Sequence, residues 1–140
     1  MFILDTNVIS AVMASQPVPE VAAWIAARPE EQLFTTTVCQ AEILAGVEIM
    51  PEGRRRRGLV AAAKAIFTSA FDGRILPFDE KSAEFYAEIF AARKRAGKPT
   101  AVTDLMIAAI ARTQDASMVT RDIGGFEDCG LTLINPWEAT

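Results

Sequence analysis

The stretch Phe2-Ile3-Leu4-Asp5-Thr6-Asn7-Val8-Ile9 decides how the rest of the chain is read. Apolar residues run directly into a carboxylate, and the chain then turns polar before Val8 and Ile9. A short unbroken apolar run fits a strand buried on both faces, as in a parallel sheet. In open parallel sheets ligands bind beyond the carboxyl ends of the strands, which is where Asp5 falls.

The same grammar recurs downstream. Strands are expected near Phe2 to Asp5, Leu33 to Thr36, Ile75 to Phe78, Ser117 to Arg121 and Leu131 to Ile134, with helical patterns filling the gaps. Alternation of this kind implies an α/β fold: a central, mostly parallel sheet of about five strands flanked by helices. Pro19 opens one helix through Val21, Trp24 and Ile25, and Thr37-Val38-Cys39-Gln40 has the form of a capping box opening another through Glu42 and Val47. An alanine-rich helix with Leu59, Ile66 and Phe67 follows the Pro51-Glu52-Gly53 turn. Asp79 caps a helix that stops near Gly97-Lys98-Pro99, and a further helix starts near Thr103. Trp24, Phe67, Phe85, Tyr86 and Phe90 fit core or dimer contacts better than base-stacking platforms, a role left open for Phe126 and Trp137.

At 140 residues, 51% hydrophobic and 23% charged, the chain fits one domain over residues 1–140 that folds without disulfides. Cys39 and Cys129 lack CxxC spacing and read as packing residues. The start lacks a basic leader, and no apolar run approaches the roughly 20 residues of a membrane span, so a cytoplasmic protein without membrane association is expected. There is no histidine. That excludes histidine-assisted serine and cysteine triads, histidine bases and imidazole zinc sites, leaving carboxylates, metals or lysine for any hydrolysis. A net charge of −4 argues against nonspecific coating of nucleic acid. Arg54-Arg55-Arg56-Arg57 and Arg93-Lys94-Arg95 with Lys98 are nevertheless compact basic groups, either solvated helix faces or local phosphate guides.

Four acids stand out: Asp5 and Asp122 after strands, Glu42 and Asp104 on helices. Each has a structural reading. Asp5 and Asp122 suit turns, and Asp104 in a first helical turn suits the helix dipole. Glu42, among Ile43, Leu44 and Val47, resists such an explanation, because acids are seldom buried without a partner. If the acids converge, each pair about 4 Å apart repels by roughly 4 kcal/mol at an effective dielectric near 20. A hard divalent cation, Mg²⁺ or Mn²⁺, is the natural neutraliser of an all-oxygen set and supports hydrolysis of a phosphodiester.

Leu4-Asp5-Thr6-Asn7, Glu42 within Gln40-Ala41-Glu42-Ile43-Leu44-Ala45-Gly46, Thr103-Asp104-Leu105-Met106 and Thr120-Arg121-Asp122 resemble, in order, the motifs of PIN-domain ribonucleases. More narrowly, the chain resembles the VapC or FitB toxins of bacterial type II toxin–antitoxin pairs, through Ile134-Asn135-Pro136-Trp137. The resemblance implies a PIN-like fold and a Mg²⁺- or Mn²⁺-dependent endoribonuclease. It implies Asp5, Glu42 and Asp104 as core catalytic and metal-binding acids, Asp122 as the fourth with Glu127 and Asp128 as alternatives, and Thr6, Asn7 and Thr120 as supporting or substrate-contacting residues. Arg121 lies near the site, either toward substrate or paired with a core acid. Partners implied are an RNA substrate, a cognate antitoxin and a second copy in a homodimer, alone or within a larger toxin–antitoxin assembly.

Competing classes fit less well. A haloacid-dehalogenase phosphatase needs a second acid where Asn7 stands, and a response-regulator receiver needs a late strand-end lysine, yet no lysine follows Lys98. A noncatalytic PIN-like module that binds RNA or protein remains the main alternative.

Overall fold

Every strand pairing is parallel, so each strand must be regained through a crossover, and helices supply it. The computed structural model describes residues 1–138. In chain order the elements are β1 (Phe2–Leu4), α1 (Thr6–Met13), α2 (Pro19–Ala26), β2 (Leu33–Thr36), α3 (Thr37–Glu48), α4 (Arg54–Ala65), β3 (Ile75–Leu76), α5 (Glu80–Arg95), α6 (Val102–Thr113), β4 (Ser117–Val119), α7 (Ile123–Phe126) and β5 (Leu133–Ile134). The five-stranded sheet runs β3-β2-β1-β4-β5. Phe2 pairs with both Leu33 and Ser117, which places β1 at the centre. Strand order reverses between β1 and β4, and the crevice beyond their carboxyl ends is the position such sheets offer a ligand.

Burial follows from the apolar runs. Ile3, Leu4, Met118 and Val119 are sealed inside the sheet, and α6 is buried along Leu105 and Ile107–Ala111. Its alanines let that helix lie close to its neighbours, while α5 covers it with Ile89. Phe126 is 1% exposed, which removes it as a base-stacking surface. Trp24 is buried with its ring edge-on to Phe2 at 5.3 Å, and Phe85, Tyr86 and Phe90 pack partly against the core. The sheet is wholly rather than mostly parallel, and its strands are shorter than the apolar runs suggested. Among the described residues no helix is long and apolar enough to cross a membrane.

One local expectation changes. Thr37 does not cap α3; Thr36 does, accepting a hydrogen bond from the Cys39 amide at 3.0 Å. Thr36 is still extended and paired with Leu76, so the chain passes from strand to helix with no linking residue and the last strand side chain doubles as the cap. Thr36→Ala is therefore expected to cost about 1 kcal/mol in urea denaturation, and Thr37→Ala only a few tenths. Equal losses would restore the capping box. Asp79 caps α5 as expected, through the Ser82 amide at 2.9 Å.

Candidate active site

Asp5 is the first residue beyond β1, and backbone geometry fixes it there. Its amide donates to the Val119 carbonyl at 2.9 Å, while its own carbonyl receives the Val8 and Ile9 amides and so starts α1. One carboxylate oxygen accepts from the Thr6 amide at 2.8 Å and serves as the helix cap. The other accepts from the Thr120 hydroxyl at 2.8 Å and the Asn7 side-chain amide at 3.3 Å. Asp5 thus fills the turn-forming role and faces the crevice at once.

Thr120 is fully buried, and its hydroxyl uses its whole capacity. It donates to Asp5 and accepts from the Asn7 side chain at 3.3 Å and the Asp122 amide at 3.0 Å. Asn7 in turn accepts from the Arg121 amide at 3.2 Å, so the ends of β1 and β4 are laced together by side chains. Thr6 donates to Glu42 at 2.7 Å, which ties α3 to the same edge. Asp104 lies in the first turn of α6 and is half-buried. Asp122 caps α7 through the Gly125 amide at 3.0 Å, and its side chain occupies the space a Cβ on Gly125 would need, 2.4 Å from the carboxylate oxygen.

Two of the acids, Asp5 and Asp104, respond to burial and to their acidic neighbours. Burial pushes Asp5 up to about 6 from an ordinary 3.8; the Thr120 and Thr6 hydrogen bonds oppose the rise, and the charges of Asp104 and Glu42 add to it. Asp104 is also raised, first by burial and then by Asp122 and Glu42, with Arg93 acting the other way. Glu127 and Asp128 are instead engaged by Lys98, at 3.1 and 2.6 Å. Of the three candidates for a fourth acid, Asp122 is the one that loads Asp104. Among the described residues, however, no three acid or thiol side chains lie close enough together to grip a cation as they stand. The donor set is chemically suited to a hard cation, but Glu42 is turned to Thr6 and Asp122 to Gly125.

A PIN domain model matches residues 2–129. The chain belongs to the PIN-domain family. It is 39% identical over 138 residues to VapC ribonuclease Y4jK of Sinorhizobium fredii, covering 99% of each chain. It is 36% identical over 137 residues to Toxin FitB of Neisseria gonorrhoeae, covering 98% of this chain and 99% of that one. Among solved structures it superimposes on FitAB bound to the IR36 DNA fragment with a TM-score of 0.92 and 36% identity, covering 100% of this chain and 98% of that one.

Within this PIN domain, two residues depart from expectation. Among the described residues Arg121 forms no ion pair with a core acid; its guanidinium lies over the Trp137 ring, 5.0 Å from the centroid. Arg93 is neither a solvated charge nor a phosphate guide. It is 2% exposed and donates to the carbonyls of Pro99 at 2.8 Å, Gly124 at 3.3 Å and Glu127 at 2.7 Å. Those carbonyls flank the segments carrying Asp104 and Asp122. Its position was readable as i+4 from Ile89 on the inward stripe of α5. Cys39, fully buried beneath the site, has its thiol pushed up to about 11 by burial and then by the Asp5 charge, so it stays protonated and inert.

Proposed function

We propose that this PIN domain is a metal-dependent endoribonuclease and the toxin of a toxin–antitoxin pair, acting as a cytoplasmic homodimer. The observation that carries the reading is a buried Asp5 at the sheet's switch point, held at about 6 by burial and then by the charges of Asp104 and Glu42, with Asp104 raised in turn by burial and then by Asp122 and Glu42. Groups in that condition are poised for a cation and costly without one. Asp5, Glu42, Asp104 and Asp122 would hold Mg²⁺ or Mn²⁺. When bound, such a cation polarises a phosphoryl oxygen and activates water for in-line attack. Thr120 and Asn7 keep the Asp5 carboxylate aimed, and Thr6 keeps Glu42 within reach.

The relatives named VapC ribonuclease and Toxin FitB support both halves of the reading. An antitoxin would inhibit by setting an arginine among the acids through charge-assisted hydrogen bonds. The wide stance of the acids favours one competitor, a PIN domain that binds RNA or protein without cutting.

Incubation of purified, partner-free protein with total cellular RNA separates these readings. Cuts with Mg²⁺ or Mn²⁺, absent in EDTA and absent from Asp104→Asn, are expected. No cleavage under any metal condition, with retained antitoxin ruled out, would establish the noncatalytic module.

A further inference from the structure

Arginine at a helix N-terminus opposes the helix dipole, and α4 opens on Arg54-Arg55-Arg56-Arg57 behind Gly53, which supplies no side-chain cap. The run costs the helix stability, so its charge calls for an anion. Arg56 has internal partners in Glu48 at 3.2 Å and Glu52 at 3.9 Å. Arg54 and Arg55 have no ion pair among the described residues. Both line a groove of about 840 Å³ between α1, α3 and α4 that Thr6 and Glu42 also line. One groove therefore holds both Glu42, a member of the acid set, and two cations without an ion pair among the described residues.

The walls between are apolar and open. Met13, Val47, Met50 and Leu59 contribute flexible or branched apolar surface. Gly46 of α3 and Gly58 of α4 also face the groove, and a Cβ on either would meet nothing within 4 Å. Each glycine costs its helix about 1 kcal/mol relative to alanine, without any packing of this chain requiring it. Their effect is to leave room for an occupant.

We infer that this groove is the track of a single-stranded RNA beside the scissile bond, with Arg54 and Arg55 holding flanking phosphates and the methionine-rich wall taking a base face. The inference rests on the nuclease reading above and deepens it. RNA matches the charge layout: one phosphate is wanted at the acid end, where the proposed cation sits, and further phosphates along the same strand at the arginine end. Apolar contact to a base face is tolerant of base identity, so the groove sets affinity and strand path more than sequence preference.

The test measures binding apart from cutting. Asp5→Asn protein, alone and with Arg54→Glu and Arg55→Glu added, is titrated with a short fluorescent single-stranded RNA of mixed sequence in EDTA over a range of salt. The added changes are expected to weaken binding by about tenfold or more and to lower the slope of log Kd against log salt by about 1.4, two phosphates at about 0.7 each. In the otherwise native chain the same pair should raise KM for RNA cleavage more than it lowers kcat. Gly46→Leu, which introduces no charge, should leave the protein folded and also weaken binding. Unchanged affinity and slope in protein that still cleaves RNA would overturn the track while sparing the nuclease reading. Unchanged RNA binding with loss of a co-expressed antitoxin would give the groove to the protein partner instead. A native chain that neither binds nor cuts RNA would sink both readings together.

Discussion

Asp5→Asn is expected to abolish RNA cleavage, by well over a hundredfold, while making the metal-free protein more stable at neutral pH. The stability gain follows from the buried carboxyl. In the fold it keeps its proton to about 6, whereas an ordinary aspartate releases it near 3.8. Folding thus favours the protonated form, so the native protein has its full stability below about pH 4 and loses part of it as the pH rises through 6. The interval corresponds to about 3 kcal/mol at most, since each pH unit between the two pKa values is worth about 1.36 kcal/mol. Asparagine carries no charge to bury and can keep an acceptor for Thr120. Urea denaturation in EDTA should show the variant ahead by about 1 to 3 kcal/mol at pH 7.5 and level with the native chain near pH 4. Mg²⁺ or Mn²⁺ should raise the melting temperature of the native protein and leave the variant unmoved. Equal stability at both pH values would mean that Asp5 is not held in the protonated form by its surroundings.

The second large effect is structural and concerns Arg93. Arg93→Met preserves much of the side-chain length and its apolar contacts but strips three part-buried carbonyls, those of Pro99, Gly124 and Glu127, of a fully buried donor. Substituting a whole buried polar pair by apolar groups can be neutral, whereas leaving acceptors unpaired costs about 1–3 kcal/mol each. Because water can reach part of these carbonyls, a loss of about 1–3 kcal/mol in all is expected, read as a fall in melting temperature of roughly 3–10 °C. Arg93→Lys should fall between, because one ammonium cannot reach along the same fork. Losing the guanidinium also removes a positive charge that acts on Asp104, so the cation concentration needed for half-maximal cleavage should fall in whatever fraction stays folded. A fully stable Arg93→Met with ordinary metal dependence would contradict this account.

Much of the fold was legible from the chain because parallel β/α units repeat a simple rule, a short apolar run followed by a helix, and each of the five expected strands begins within or beside such a run. The observed strands end sooner than the apolar runs suggest: Asp5 lies beyond β1 because its side chain already caps α1, and β4 stops at Val119, before Thr120 and Arg121, while Asp122 follows the strand as expected and caps α7. Thr37 reads as a cap because its spacing to Gln40 is visible in sequence, whereas the pairing of Thr36 with Leu76, which brings the strand to the helix start, is not.

The sequence by itself determined the chemistry available: with no histidine, only carboxylates, metals or lysine remain for hydrolysis, and acids at the ends of apolar runs favour a hard cation among them. It also set Asp5 and Asp122 at one edge, since parallel strands all present their carboxyl ends to the same side, but left open whether Glu42 and Asp104, on helices, would join them. Only the tertiary structure decided which acids interact, that Lys98 engages Glu127 and Asp128 while Asp122 loads Asp104. It likewise turned Arg93 inward to bind backbone and left Arg54 and Arg55 facing a groove. Charge sign is written in a residue, but its partner is set by distance and burial, and these come from segments far apart in the chain.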